Sequence, residues 1–251
     1  MDKVLLYFSL KYFGNWDEIY NALDTKEKIS HVDLEKVESK IDCNYITILS
    51  PLYPNYLKNC HKPPFVIYFK GDNELLVKYH KAIGIVGGKE YDEYGLFMAE
   101  KLSKELSEEN RILVTYQKEG INEKVIDYCK ENLVENIIVL QDDMKSTLMK
   151  LQETKVNDKT LYITESYEKN TKYQENYDTY TNRMLCGLVK GVIFCPYSQE
   201  DNFKDLINFA INEGKELFAV PCTSKVLNQT NKLIKMGAKL TENAKDVLNE
   251  I

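Results

Sequence analysis

The residues of this sequence best suited to chemistry stand where apolar runs end. In residues 81–95, KAIGIVGGKEYDEYG, the run Ala82-Ile83-Gly84-Ile85-Val86 stops at Gly87-Gly88-Lys89. A strand, a glycine turn and a following helix aim backbone N–H groups and a positive helix end at one point, which favours an anion. Two glycines let a ligand approach the backbone closely, and Lys89 adds a formal positive charge. Glycines there also meet the steric needs of a tight turn, so the motif by itself leaves both readings open. It matches neither G-x-G-x-x-G nor G-x-x-x-x-G-K-[ST], so no dinucleotide fingerprint or phosphate-binding loop is present. Two further groups share the preference for phosphate, and a third suits bases. Arg183, after Asn182, offers a planar fork of donors that suits a phosphate or a neighbouring carboxylate. Between residues 215 and 239, Lys215, Lys225, Lys232, Lys235 and Lys239 stand against a single acid, Glu216. Such a stretch suits a phosphate backbone, or is a solvated face of a lysine-rich chain. Tyr167, Tyr173, Tyr177 and Tyr180 crowd the polar stretch 165–181, where they are candidates for stacking on bases or for packing.

Catalysis has no comparable signature. Ser166, Ser198 and Ser224 lack a G-x-S-x-G context, and no nucleophile–base–orienter set is visible. Cys60-His61 is an adjacent pair, remote from a catalytic arrangement. Asp142-Asp143 reads as a pair for Mg²⁺ with phosphate or as a solvated loop. The six cysteines show no C-x-x-C spacing, and His31, His61 and His80 are far apart, which argues against a zinc site. The expectation is a binding protein that is not an enzyme, with no metal and no cofactor.

The elements that must position these residues alternate. Short, continuously apolar segments at 83–86, 112–115, 137–140, 161–164, 192–195 and 217–220 read as strands buried on both faces. Helical spacing lies between them: Leu96, Ala99, Leu102 and Leu106 share one face, as do Phe203, Leu206, Ile207, Ala210 and Ile211, with Gly214 as C-cap. The fold class is therefore α/β, a Rossmann-like, doubly wound, mainly parallel sheet whose ligands bind at the carboxyl ends of the strands. Residues 1–62 read as a small helical N-terminal domain with a short strand at 47–50, and 63–251 as the Rossmann-like domain. Lys62-Pro63-Pro64 marks the division, with a further strand at 65–69. A chain of 251 residues can bury a substantial core. Its net charge of −6 confines any nucleic-acid footprint to a local patch. No apolar run approaches the roughly 20 residues that cross a bilayer, and the N-terminus lacks the cleavage site of a secretory leader. The expected location is the cytoplasm, with no membrane partner.

From about Tyr53 onward, seven elements resemble the DNA-processing protein A family (DprA, also called Smf) in order and spacing. Tyr53-Pro54-x-x-Leu57 with Pro63-Pro64-x-x-x-Tyr68-x-x-Gly71 is similar to that family's opening segment. Ile85-Val86-Gly87-Gly88-Lys89 with Tyr94-Gly95 resembles its V-G-S-R…Y-G turn. Gly120-Ile121-Asn122 stands where the family has G-I-D, and Thr164-Glu165 where it has S-E. Asn182-Arg183-x-x-x-Gly187-Leu188 resembles R-N-R-x-x-x-x-L. Val220-Pro221 and Asn231-x-Leu233-Ile234-x-x-Gly237-Ala238 resemble the closing V-P-G…N-x-L-I-x-x-G-A. The resemblance implies a homodimer that binds single-stranded DNA and hands it to a RecA-type recombinase during DNA uptake and recombination. Phosphate would be held by Gly87, Gly88, Lys89, Asn182 and Arg183, with Lys215, Lys225 and Lys232 extending the track.

The chain also departs from the pattern. Lys89 replaces an arginine, keeping the charge and losing the fork. The S-G-x-A-x-G-I-D segment reads Thr115-Tyr116-Gln117-Lys118-Glu119-Gly120-Ile121-Asn122, and S-G-[ST]-x-x-T reads Tyr197-Ser198-Gln199-Glu200-Asp201-Asn202, adding acids beside the expected phosphate pocket. Two alternatives follow: a nucleotide or small-ligand binder with an altered pocket, or a partner-binding relative that has lost DNA.

Overall fold

A computed structural model describes residues 1–151 and 158–251, with the side chains of all but 174–177. Nine strands form one sheet: β1 (Asn44–Thr47), β2 (Val66–Gly71), β3 (Ala82–Val86), β4 (Ile112–Tyr116), β5 (Asn136–Val139), β6 (Thr160–Thr164), β7 (Gly191–Phe194), β8 (Glu216–Ala219) and β9 (Lys239–Leu240). Their order is β1-β2-β6-β5-β4-β3-β7-β8-β9. The pairs from β6 through β9 are parallel, while β1–β2 and β2–β6 are antiparallel. The six expected central strands appear within one residue of the expected ends, because runs such as Ile112–Tyr116 are buried on both faces.

Alternation along each strand splits the core into layers. In β3, Ala82 and Val86 pack with Met184, Leu185 and Leu206 on one face, while Ile83 and Ile85 pack with Ala99, Leu102 and Leu106 on the other. The helices Glu93–Glu108 and Ile121–Glu131 therefore cover one face, and Tyr177–Leu188 and Lys204–Asn212 the opposite one. From β3 the chain winds outward through β4, β5 and β6, then returns to the other side of β3 for β7 and β8. The order reverses between β3 and β7, the place where an open α/β sheet leaves a crevice.

The N-terminal helices have a small cluster of their own, Phe8, Ile19 and Ala22. The first helix, Asp2–Lys11, also lays Leu5 and Leu6 against Tyr68, Ile138 and Tyr162 of the sheet. The buried Tyr68 hydroxyl donates to Ser9 Oγ at 2.9 Å. The short strand lies at Asn44–Thr47 rather than 47–50, in register with β2, and residues 48–50 turn, with Ser50 N–H donating to Thr47 O at 2.9 Å.

Of the stretch 165–181, expected as a polar loop, residues 165–170 are a loop, while a 3-10 segment (Thr171–Asn176) leads from it into the helix Tyr177–Leu188. Tyr180, Met184 and Leu188 recur at four-residue spacing and are buried, a period obscured in the sequence by polar neighbours.

Candidate nucleic-acid interface

Three loops meet at the crevice: the turn after β3, the connection after β4, and residues 197–203 after β7. Their approach is close at the glycines. A Cβ on Gly87 would stand 2.6 Å from Ile121 Cγ2, and Gly120 has φ +80° with its α-carbon facing the Gly88 and Lys89 backbone. Ile121 N–H donates to Gly88 O at 3.0 Å. The buried Asn122 donates from Nδ2 to Gly87 O at 3.0 Å, and its Oδ1 accepts from the Thr115 hydroxyl at 3.2 Å. Asn122 thus locks the turn to β4.

The result is an open cleft of about 360 Å³ lined by Gly87, Lys89, Lys118, Glu119, Asn122 and Asp201, among others. Lys89 Nζ pairs with Glu119 at 2.9 Å in the open, which raises the lysine pKa and lowers that of the glutamate. Exposed pairs of this kind are weak, so a stronger anion can take the ammonium. Lys118 differs. Among the described residues its ammonium makes no hydrogen bond or salt bridge, and it lies 5.3 Å from the centre of the Tyr116 ring. Partial desolvation lowers its pKa, while Asp178 and Asp201 oppose that drop. A cation so placed gains from an incoming anion.

Asp201, Asn202 and Phe203 also line a second groove of about 440 Å³, together with Lys204 and Lys232. Lys89 and Lys118 thus line one groove, and Lys204 and Lys232 line its neighbour.

The structure brings only some of the expected site residues to these grooves. Gly87, Lys89 and Lys232 line them, with Gly88 between the first two in the turn. Asn182 is half-buried, its Oδ1 accepting from the Tyr116 hydroxyl at 2.7 Å, so it braces the ring beneath Lys118. Arg183 is not at the surface: it is 2% exposed and its guanidinium meets Glu165 at 2.5 Å. The expected phosphate fork is spent on a carboxylate, because a buried charge needs a partner. Burial pushes the Glu165 carboxyl up to about 7, and the Arg183 charge works against that rise. Lys215 stands just before β8, at the amino edge of the sheet away from the cleft, its ammonium 5.0 Å from the Tyr56 ring centre. Lys225 is exposed on the loop after β8, outside both grooves.

Tyr167, Tyr173 and Tyr180 are each at most 8% exposed and therefore pack rather than stack on a ligand; the Tyr177 side chain lies outside the described residues. Asp142 pairs with Lys150 at 2.8 Å, and Asp143 Oδ1 accepts from Ser146 N–H at 2.7 Å. The Cys60 thiol is buried and pushed up to about 12, far from a thiolate nucleophile. Lys118 and Lys204 are not among the residues expected from the sequence to hold phosphate, while Asn122 and Asp201 stand there only as departures from the family pattern. The run Lys118-Glu119-Gly120, a cation and an anion before a glycine, is the one signal that pointed near Lys118.

With this geometry in place, the comparisons with known proteins are specific. Residues 44–251 match the family model described as DNA recombination-mediator protein A. The chain belongs to that family. DNA processing protein DprA of Bacillus subtilis is 29% identical over 212 residues, covering 83% of this chain and 71% of its own length. The Streptococcus pneumoniae protein of the same name is 26% identical over 210 residues, covering 81% and 73%. The crystal structure of the S. pneumoniae DprA superposes with a TM-score of 0.73 at 22% identity, over all of this chain and 93% of that one. A Helicobacter pylori DNA processing protein A structure, described for its single-stranded DNA binding mode, gives 0.68 at 21% identity over 83% and 96%. These structures share the Rossmann-like fold with this DprA-family chain. Every residue of the crevice falls within the matched region. No helix among the described residues is long and apolar enough to cross a membrane.

Proposed function

We propose that this recombination-mediator family member binds single-stranded DNA along the crevice, with Lys89, Lys118, Lys204 and Lys232 receiving successive phosphates. The observation that carries the reading is the adjacency of two lysine-lined grooves, which share Asp201, Asn202 and Phe203, at the reversal point of the sheet. The DNA binding of the H. pylori relative supports it. By the same family relationship the protein acts in the cytoplasm as a homodimer, without enzymatic activity, delivering the strand to a RecA-type recombinase. Lysines act here as point charges on a phosphate track, which gives affinity without base preference.

Fluorescence anisotropy with labelled oligo-dT at several salt concentrations tests this. If the four lysines pair with phosphates, log affinity falls with log salt at a slope of about −3. Absence of binding at low salt by the folded protein would sink the proposal. A second reading rests on the volume of the first cleft, about 360 Å³, which falls in the range of small-ligand pockets. Salt-insensitive binding of a mononucleotide, with no oligonucleotide binding, would favour it.

A further inference from the structure

The turn after β3 has the form of an anion seat, and the chain fills that seat itself. Asp201 Oδ1 accepts from Lys89 N–H at 2.9 Å. Its Oδ2 accepts from Ser198 N–H at 2.9 Å and from the Ser198 hydroxyl at 3.0 Å. A Cβ on Gly88 would stand 2.7 Å from that same Oδ2. The missing side chain therefore makes room for a carboxylate oxygen lying against the backbone. Three donors converging on one acidic group beside a glycine reproduce the contacts that a phosphate oxygen would seek. Asp201 does not cap the helix that follows: Lys204–Asn212 has no side-chain cap. Its carboxylate instead forms the wall shared by both lysine-lined grooves.

We propose that Asp201 is a tethered anion occupying the phosphate seat of the turn, so that this protein receives a strand's phosphates on its lysine ammonium groups and not on the Lys89 and Ser198 backbone N–H groups. The inference rests on the phosphate reading of the crevice and refines it. A bound phosphate must either displace Asp201 or sit beside its charge, and both oppose binding. Removing the charge while keeping an acceptor opens the seat. Asp201→Asn removes the charge with little change of shape, and its one amide oxygen can accept from Lys89 N–H or from Ser198 but not from both, which loosens its hold on the seat. Asp201→Ser is the second variant, with a short acceptor and free space where the carboxylate stood. Glu200→Gln is the control, since it changes net charge equally on the neighbouring exposed residue.

The test is anisotropy with oligo-dT, alongside thermal melting of each variant with and without inorganic phosphate. Asp201→Asn and Asp201→Ser are expected to bind oligo-dT about tenfold more tightly than wild type, the effect of one opposing charge at close range. Phosphate should raise their melting temperatures above any rise in wild type or Glu200→Gln. Wild-type binding that the Asp201 variants leave unchanged or weaken would overturn this inference and leave the crevice as the DNA site. Binding by the Asp201 variants alone would support the tethered anion while removing DNA binding from the natural chain. Failure of every variant to bind either probe would overturn both.

Discussion

Arg183 and Lys118 both lie near the carboxyl end of the parallel sheet, and they have opposite fates. Arg183 is folded under the helix Tyr177–Leu188, closed off from solvent, with Glu165 against its guanidinium and the Tyr180 ring 5.3 Å away. Lys118 rises from the loop after β4 into an open cleft without an ion partner among the described residues. By residue type alone Arg183 is the better phosphate ligand. What separates the two is completeness: a charge already matched has nothing to offer a ligand, and removing its match is costly. An unmatched charge held over an aromatic face is poised for one.

The largest effect that would break this contrast concerns the buried pair. Arg183→Met is expected to destabilise the protein by about 3–5 kcal/mol at pH 7, and adding Glu165→Gln should recover most of the loss. Urea denaturation measures both. Burial has already lifted the Glu165 carboxyl to about 7, and losing Arg183 lifts it further. A carboxyl whose folded pKa lies above its unfolded value of about 4.5 takes up a proton on folding between the two, so stability falls as pH rises from the unfolded to the folded pKa and is level above it. The single variant should therefore recover stability toward pH 5. A pH-independent loss, or none, would show that Arg183 is not neutralising a buried charge.

A smaller effect tests the open side. Lys118→Ala is expected to weaken oligo-dT binding about tenfold, the scale of one charge-assisted contact, with unfolding free energy unchanged within about 0.5 kcal/mol. Lys89→Ala should cost less, because Glu119 already competes for that ammonium. Equal losses for the two would place the strand on the turn and erase the distinction drawn for Lys118. The smallest effect concerns Lys215, which precedes β8. The four residues of that strand put it about 13 Å from the crevice edge, beyond a Debye length of about 8 Å. Lys215→Ala should shift oligo-dT affinity less than about twofold, and a tenfold shift would extend the interface to the amino edge of the sheet.

Much of the fold was readable in the chain because burial on both faces leaves a direct mark: residues 82–86 and 112–116 are nearly uniform apolar runs, and no polar residue has to interrupt them. The helix Tyr177–Leu188 left a weaker mark, since its exposed face carries enough polar residues to resemble a loop. Of the proposed interface, the Gly87-Gly88-Lys89 turn and Lys232 were among the residues expected from the sequence. Lys204 and Lys232 belong to separate segments, and nothing local distinguishes them from Lys215 or Lys225. Asp201 stood out only as an acid in the wrong place.

Local sequence determined the strands, the glycine turn and the family pattern from Tyr53 onward, because backbone sterics and apolar periodicity act between neighbours along the chain. Which charges are free was decided only by tertiary structure. Glu165 finds Arg183 across 18 positions, Asp201 reaches the turn across 112, and Lys118 is left without an ion pair among the described residues. Charge neutralisation depends on distance in space and on exclusion of water, and neither quantity exists until the sheet has brought β3, β4 and β7 side by side.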